Sequence, residues 1–286
     1  MEEVRGREQD QAWAGGLAGF VSGILLFPAE TVSARYKLGG KQVISGLLRR
    51  EGVLALWSGA GAGMLGTIPS SAIYFVLYEN FKSRGERAVP NHQSHLLPGV
   101  YLVAGGVSEA LTSVVYVPFE VTKARMMLGR NPNLASNGHI AATTNYPNSL
   151  VALYNIARYE GRAGLYAGYV PCMLTDMSFR GLTFMLYELG KRRLVETRYG
   201  EVNESSAEDL LLGLVCGGSA ALVTNPLDVL TLRAMTKKMG SHVRAFSYYG
   251  LWRGVACRVA SLAPQSAVSL AVFEAAMRLL SGDDDN

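Results

Sequence analysis

The chain has 286 residues, of which 49% are hydrophobic and only 17% are charged, against about 25% charged in an average soluble domain. A soluble protein of this length needs a polar shell, which 27 basic and 23 acidic residues supply only thinly. The chain contains 32 Gly and 10 Pro, and both residue types are more frequent in transmembrane helices than in soluble ones. The composition therefore favours a multispan membrane protein over a typical soluble enzyme.

The net charge of +4 does not predict nucleic-acid binding, because the Lys and Arg residues are scattered and form no single basic face. The 3 cysteines lack metal-ligand spacing, and the 4 histidines lie in polar segments. We therefore predict no disulfide, no metal site and no cofactor. The first ten residues contain too many acids for a cleavable transit peptide, so we expect any targeting signal to be internal.

Six stretches have the length and the apolar character of membrane-spanning helices. They are residues 11–29, 52–78, 97–119, 164–189, 210–227 and 259–273. The first two contain no charged residue at all, whereas the third carries Glu109 and the fourth carries Asp176 and Arg180. The sequence thus predicts an all-α membrane protein with six transmembrane helices.

Three copies of one motif divide the chain into repeats. Each copy has a proline, an acid two residues later and an arginine seven residues after the proline. The copies are Pro28, Glu30 and Arg35; Pro118, Glu120 and Arg125; and Pro226, Asp228 and Arg233. In a second motif, an aromatic residue precedes a glycine by two positions, as in Trp57/Gly59, Tyr166/Gly168 and Trp252/Gly254. Each repeat is therefore predicted to be a proline-bearing helix, a polar connection and a second helix.

The predicted repeats span residues 11–90, 96–195 and 207–281. Within the second repeat, residues 129–149 are rich in Asn and Pro, and we predict a flexible loop there. Glycines at a spacing of four residues, such as Gly59 and Gly63, predict that helices approach one another closely in lipid.

These motifs resemble those of the mitochondrial carrier family, whose pattern is P-x-(D/E)-x-x-(K/R)-x-(K/R) followed by (D/E)-G-x-x-x-x-(aromatic)-(K/R)-G. Ser33 and Thr231 stand where the family has a cation, and the third repeat lacks the acid–glycine pair. The resemblance implies six tilted helices in a pseudo-threefold barrel around a central cavity. It also implies a monomeric inner-membrane transporter that works by alternating access. Both termini would face the intermembrane space, and cardiolipin is a candidate lipid partner.

The resemblance also assigns two gates. The matrix-side gate residues are Pro28, Glu30, Pro118, Glu120, Lys123, Pro226 and Asp228. The cytoplasmic-side gate residues are Tyr78, Glu79, Lys82, Tyr187, Glu188, Lys191, Phe273 and Glu274. Glu30 would pair with Lys123, whereas Glu120 would face Thr231 and Asp228 would face Ser33. Because two of the three matrix-side ion pairs are missing, we expect the resting population to shift toward the matrix-open form.

Charged residues inside a span are costly and usually face a cavity or a partner. Glu109, Asp176 and Arg180 together carry a net charge of minus one, which favours a cationic or zwitterionic solute. Alternatively, Asp176 and Arg180 pair only with each other, because they are four residues apart on one helix. The substrate contact positions implied by the resemblance are Gly66, Thr67, Thr175, Asp176 and Ser261. Tyr74 and Tyr116 are candidate aromatic contacts for a cation or an adenine ring.

Within the family, the S-adenosylmethionine carriers are the most similar in these details. Glu109, the Gly66-Thr67 pair, Asp176 and residues 217–229 carry that resemblance. Those carriers have a basic residue at the place of Thr175, and Arg180 is the candidate replacement. Two alternatives stay open, namely a carrier of iron or another small cation and a carrier fold that acts as a non-transporting adaptor. An enzyme is disfavoured, because no histidine lies in a span to activate a nucleophile.

Overall fold

The computed structural model describes residues 21–38, 52–88, 97–129, 146–197, 206–236, 248–262 and 264–265. Within these ranges the structure is helical and contains no strand, as the sequence predicts. A 3₁₀ turn at Val53–Trp57 follows the first helix. The helices are α1 (residues 21–38), α2 (Ala60–Ala88), α3 (Leu97–Leu128), α4 (Ser149–Leu165), α5 (Tyr169–Thr197), α6 (Ser206–Thr236), α7 (Tyr248–Leu251) and α8 (residues 255–262 and 264–265).

The two motifs of a repeat are joined by hydrogen bonds at the helix prolines. A proline inside a helix donates no N–H, so the carbonyl four residues earlier loses its helical partner. In the first repeat the Trp57 indole Nε1 donates to the Ile24 carbonyl at 3.0 Å. In the second repeat the Tyr166 hydroxyl donates to the Val114 carbonyl at 2.9 Å. Each carbonyl lies four residues before the proline of its repeat, so the aromatic residue replaces the missing donor.

The glycine of the second motif begins the second helix of each repeat. Gly59, Gly168 and Gly254 have φ values of 96°, 79° and 84°, in the left-handed region that glycine adopts without steric cost. Helices α2 and α5 consequently begin at Ala60 and Tyr169. The predicted spans 52–78 and 164–189 were therefore too long at their N-terminal ends, because hydropathy does not register a turn made of apolar residues.

The same three glycines allow close contacts between one repeat and another. Each approaches the proline-bearing helix of the next repeat, with the third repeat approaching the first. Measured from a Cβ added to the glycine, the neighbours are the Lys123 carbonyl oxygen at 2.9 Å from Gly59, Ala234 Cβ at 3.1 Å from Gly168 and Lys37 Cγ at 2.7 Å from Gly254. A side chain at any of these positions would displace its neighbour, so the glycines are required by packing as well as by backbone conformation.

Helix α4 lies where the sequence analysis predicted a polar connection. The Asn148 side chain accepts a hydrogen bond from the Val151 N–H at 2.8 Å and caps the helix N-terminus. Residue 149, the predicted end of the flexible loop, is therefore helical. Most of that predicted loop, residues 130–145, lies outside the described residues.

The chain divides into two compact units. The first comprises Met1–Trp57, Ser178–Pro226 and Trp252–Asn286, and the second comprises Ser58–Met177 and Leu227–Leu251. In the second unit, α3, α5 and α6 share a buried cluster of Val117, Val121, Ala124, Cys172 and Met235. In the first unit, buried Arg258 donates to the Thr224 carbonyl at 3.2 Å and lies 5.9 Å from the Phe179 ring centre.

Among the described residues, two segments are long and apolar enough to cross a membrane. They are Val53–Ala88, with a mean hydropathy of 1.4, and Leu211–Thr236, with a mean hydropathy of 1.3. They overlap the predicted spans 52–78 and 210–227. Helices α3 and α5 carry the internal charges that lower the hydropathy of a span, as the sequence analysis expects. The six-span arrangement stays a prediction.

Candidate functional site

Three carboxylates from three helices act electrostatically on one thiol, that of Cys172. We call Glu120 of α3, Asp176 of α5 and Asp228 of α6 the acidic cluster, because all three lie within electrostatic range of the Cys172 thiol. The Cys172 Sγ lies 3.7 Å from Asp176 Oδ2. Tyr116 of α3 interacts electrostatically with both Glu120 and Asp176. The structure thus brings together one predicted substrate contact, one predicted aromatic contact and two predicted gate residues.

Glu120 is held by partners on its own helix. The Tyr116 hydroxyl donates to Glu120 Oε2 at 2.8 Å, and Lys123 Nζ lies 3.4 Å from Glu120 Oε1. The side chains of Lys123 and Glu120 are 13% and 20% exposed, so solvent screens their attraction only partly. The predicted pairing of Glu30 with Lys123 stays a prediction.

Thr175 is directed at a neighbouring helix. Only 4% of its surface is exposed, and its Oγ1 lies 2.9 Å from the Thr231 Oγ1 of α6. Thr175 Oγ1 also donates to the Pro171 carbonyl at 2.7 Å. The hydroxyl of Thr231, which the resemblance placed opposite Glu120, is therefore engaged with a predicted substrate-contact residue.

Gly66 and Thr67 occupy different environments on α2. A Cβ added to Gly66 would lie 2.5 Å from Phe119 Cβ, so the glycine allows α2 and α3 to approach closely. Thr67 is exposed, and its hydroxyl donates to the Gly63 carbonyl at 2.8 Å. In this structure Gly66 is a packing position, whereas Thr67 is open to the surroundings.

The remaining predicted contacts lie on α2, α3, α5 and α8. Glu109 is 8% exposed and lies within α3, whereas Arg180 of α5 is exposed. The Tyr74 ring stacks on Tyr78, with ring centres 6.0 Å apart and planes inclined by 7°. Ser261 is 7% exposed, and its hydroxyl donates at 2.9 Å to the carbonyl three residues earlier in α8.

The predicted cytoplasmic-side gate is described mainly in α2. Lys82 Nζ lies 3.7 Å from Glu79 Oε1 and 5.9 Å from the Tyr78 ring centre. The Glu79 and Lys82 side chains are 66% and 33% exposed, so solvent weakens their attraction. Tyr187 is half-buried in α5. The side chains of Glu188, Lys191, Phe273 and Glu274 lie outside the described residues.

One buried ion pair was missed by the sequence analysis, although both residues belong to its motifs. Arg125 is 1% exposed, and its guanidinium binds the Glu160 carboxylate through two N–H groups, with Nη2 to Oε2 at 2.9 Å. The Arg125 Nε donates to the Met235 carbonyl of α6, also at 2.9 Å. The available signal was the recurrence, in the first two repeats, of an arginine after the proline and an acid before a glycine.

Comparison with known proteins adds an independent observation. The family described as "Mitochondrial carrier protein" matches residues 9–87, 94–198 and 202–284. The chain belongs to the mitochondrial carrier family.

Several relatives within this family carry related names. "S-adenosylmethionine carrier 1, chloroplastic/mitochondrial" of Arabidopsis thaliana is 30% identical over 94% of this chain and 78% of the relative. "Mitochondrial S-adenosylmethionine carrier protein" of Mus musculus is 29% identical over 93% of each chain. "Mitochondrial thiamine pyrophosphate carrier 1" of Candida albicans is 26% identical over 91% of this chain and 88% of the relative. The resemblance to the family and to its S-adenosylmethionine carriers is confirmed.

The geometry sorts the predicted site residues of this mitochondrial carrier into two groups. Asp176 and Tyr116 adjoin gate residues in the acidic cluster. Gly66, Thr175 and Ser261 are buried against neighbouring groups. Asp176 is therefore the predicted substrate contact that the acidic cluster contains.

Proposed function

We propose that the chain is a multi-pass carrier of the mitochondrial inner membrane that exchanges S-adenosylmethionine by alternating access. Relatives named as S-adenosylmethionine carriers, which match more than nine-tenths of the chain, support this substrate. The three family matches support three repeats at residues 11–90, 96–195 and 207–281. The glycine contacts from each repeat to the next support a pseudo-threefold barrel of six helices. A monomer with both termini in the intermembrane space, and with cardiolipin among its lipids, completes the proposal.

The observation that carries the proposal is the acidic cluster beside Tyr116. S-adenosylmethionine carries a sulfonium, an ammonium and a carboxylate, for a net charge of about +1, together with an adenine ring. A half-buried carboxylate attracts a cation more strongly than one in bulk water, because the local dielectric constant is lower. Asp176 is therefore the proposed cation ligand. Tyr116 is the proposed aromatic neighbour of the sulfonium or the adenine ring.

The rival substrates fit the site less well. Thiamine pyrophosphate carries an anionic pyrophosphate, which the three carboxylates of the acidic cluster would repel. An iron carrier needs a set of metal ligands, and within the described ranges no group of three or more His, Cys, Asp or Glu residues is arranged to hold a metal. A non-transporting adaptor would bind neither solute, so binding measurements separate all of these alternatives.

The substrate proposal is tested by thermal stabilisation of the detergent-purified protein with S-adenosylmethionine, thiamine pyrophosphate and Fe²⁺. We expect stabilisation by S-adenosylmethionine. Asp176→Asn should weaken binding by about 1.5 to 3 kcal/mol, because it removes the charge while preserving size and hydrogen bonding. Glu86→Gln, which removes a half-buried carboxylate near the C-terminal end of α2, is the matched control and should bind normally.

The same experiment addresses the alternative in which Asp176 serves only as the partner of Arg180. In that case Asp176→Asn would leave a cation without its counter-charge and would lower the melting temperature. Full affinity for S-adenosylmethionine, combined with a lower melting temperature, would overturn the ligand role of Asp176. Stabilisation by thiamine pyrophosphate or Fe²⁺ alone would overturn the proposed substrate.

A further inference from the structure

The hydroxyls of Thr175 and Thr231 form a direct link between α5 and α6. Their Oγ1 atoms are 2.9 Å apart, and the two residues are 4% and 7% exposed. Both lie in the second compact unit. A hydrogen bond between two hydroxyls shielded from water stabilises their contact, because little water competes for the two groups. The pair therefore favours one relative position of the two helices.

Each hydroxyl of the pair also contacts a carbonyl of its own helix. Each hydroxyl has one proton, yet three acceptors are within reach. They are the Pro171 carbonyl, 2.7 Å from Thr175, the Leu227 carbonyl, 3.0 Å from Thr231, and the partner hydroxyl. Either hydroxyl can donate across the pair while the other donates to its own helix. In both arrangements one hydrogen bond links α5 to α6.

Each residue of the pair is a sequence neighbour of a predicted functional residue, one of the substrate site and one of the matrix-side gate. Thr175 directly precedes Asp176 on α5, and Thr231 follows Asp228 by three residues on α6. Both carboxylates belong to the acidic cluster around Cys172. The sequence pattern of the family places a cation at residue 231, and this chain has a neutral hydroxyl there. Residue 231 thus makes a neutral contact with α5, whereas the family pattern predicts an ionic contact of this residue with Glu120 of α3.

We propose that the Thr175–Thr231 pair is a neutral latch that holds α5 against α6 and must break when the carrier opens toward the matrix. Thr231 is accordingly a positioning residue, which orients Thr175 and, through the same turn of α5, the Asp176 carboxylate. This inference rests on alternating access in the proposed function. It assigns this chain a weaker matrix-side contact at this position than an ion pair would provide, because a neutral hydrogen bond contributes less than a charged one.

The buried thiol of Cys172, three residues before Thr175, reports on opening of the α5–α6 contact. In a Cys216→Ser, Cys257→Ser background, the labelling rate of Cys172 by a small cationic methanethiosulfonate measures how often the contact opens. We expect Thr175→Val and Thr231→Val each to raise this rate about fivefold, since each removes one hydrogen bond. The double variant should be no faster than either single variant, because both remove the same bond.

Three further variants control for effects of valine itself. Thr224→Val removes a buried hydroxyl of α6 that donates to the Ala220 carbonyl at 2.8 Å, and its labelling rate should stay within about twofold of the parent protein. Thr231→Ser keeps the hydroxyl and should keep the parent rate, whereas Thr231→Ala should label as fast as Thr231→Val. Equal rates for Thr224→Val and Thr231→Val, or multiplying effects in the double variant, would overturn the latch.

Adding S-adenosylmethionine separates the latch from the proposed substrate. If the labelling rates follow the predicted pattern without solute but do not respond to S-adenosylmethionine, the latch stands and the substrate assignment fails. If S-adenosylmethionine changes the labelling rate of the parent protein while Thr231→Val labels like the parent, the substrate assignment stands and the latch is wrong.

Discussion

The second and third repeats carry an arginine at the same position after the proline but hold it in different ways. Arg125 is buried and binds the Glu160 carboxylate through two N–H groups. Arg233 is half-buried and donates to the Gly250 carbonyl at 3.1 Å. By sequence, Phe246 stands in the third repeat where the second has Glu160. The same arginine position thus serves an ionic link in one repeat and a link to a main-chain carbonyl in the other.

The third repeat lacks the acid of the second, yet its arginine still forms a hydrogen bond within the repeat. A buried arginine without a counter-charge is strongly destabilising, whereas a half-buried arginine keeps part of its hydration. The greater exposure of Arg233 is consistent with its contact to a neutral carbonyl. The second repeat should therefore be the more sensitive of the two to changes at its arginine and at the acid that binds it.

The largest effect is expected from Glu160→Ala. This change leaves Arg125 buried without its carboxylate, and loss of one partner of a buried ion pair costs about 3 to 5 kcal/mol. Thermal melting of the purified protein should show a large decrease in melting temperature. Arg233→Ala should cost less, about 1 kcal/mol for the hydrogen bond to Gly250, because Arg233 is only half-buried. Equal losses for the two variants would contradict the contrast between the repeats.

The next effect concerns the contact that the second repeat makes with the third. Gly168→Ala should cost about 2 to 3 kcal/mol, because it adds left-handed backbone strain and overpacking against Ala234, 3.1 Å from the new Cβ. Ala234→Gly removes the Cβ that the new methyl group would meet, so a double-mutant cycle separates contact from backbone strain. Gly168→Ala should cost about 1 kcal/mol less in the Ala234→Gly background, measured by the same melting assay. An unchanged cost in that background would show that backbone strain, not contact, dominates.

Tyr166→Phe tests the donor that replaces the missing proline N–H in the second repeat. Removing the hydroxyl leaves the Val114 carbonyl without this partner and should cost about 0.5 to 1.5 kcal/mol of stability. Tyr154→Phe removes an exposed hydroxyl of α4 that binds Arg158 and should change the melting temperature very little. A similar loss of stability in both variants would mean that the Val114 carbonyl does not require the Tyr166 hydroxyl.

The smallest expected effect is a gain. Phe246→Glu gives the third repeat the acid of the second and should stabilise the protein by up to about 1 kcal/mol, the range for a partly exposed ion pair. The gain should disappear in the Arg233→Ala background, which a double-mutant cycle on melting temperature would detect. A gain that persists without Arg233 would show that the two residues do not interact.

Periodic features of this fold could be predicted from the sequence. Proline, acid, arginine and glycine recur at fixed offsets, so the three repeats could be recognised from spacing alone. Helix α4 was missed because its charged and polar residues contrast with the apolar spans that a hydropathy search selects. The late start of α2 was missed because the turn before it is made of apolar residues and glycines.

The site was predictable in its residue types but not in its contacts. Asp176 was selected as a candidate site residue because a charge inside a membrane span is costly and usually faces a cavity or a partner. The pairing of Thr175 with Thr231 was not predictable, because it depends on the register of α5 against α6. The close approach of Phe119 to Gly66 was likewise not predictable, because it depends on how α2 packs against α3.

The central claim is that this carrier exchanges S-adenosylmethionine through a site that contains Asp176. Its most direct test is uptake of labelled S-adenosylmethionine by liposomes that contain the purified protein and are loaded with S-adenosylhomocysteine. We expect uptake well above that of protein-free liposomes. Glu86→Gln should retain this uptake, Asp176→Asn should reduce it, and external thiamine pyrophosphate should not inhibit it. Absence of this uptake, in a preparation that readily transports thiamine pyrophosphate or another solute, would contradict the central claim.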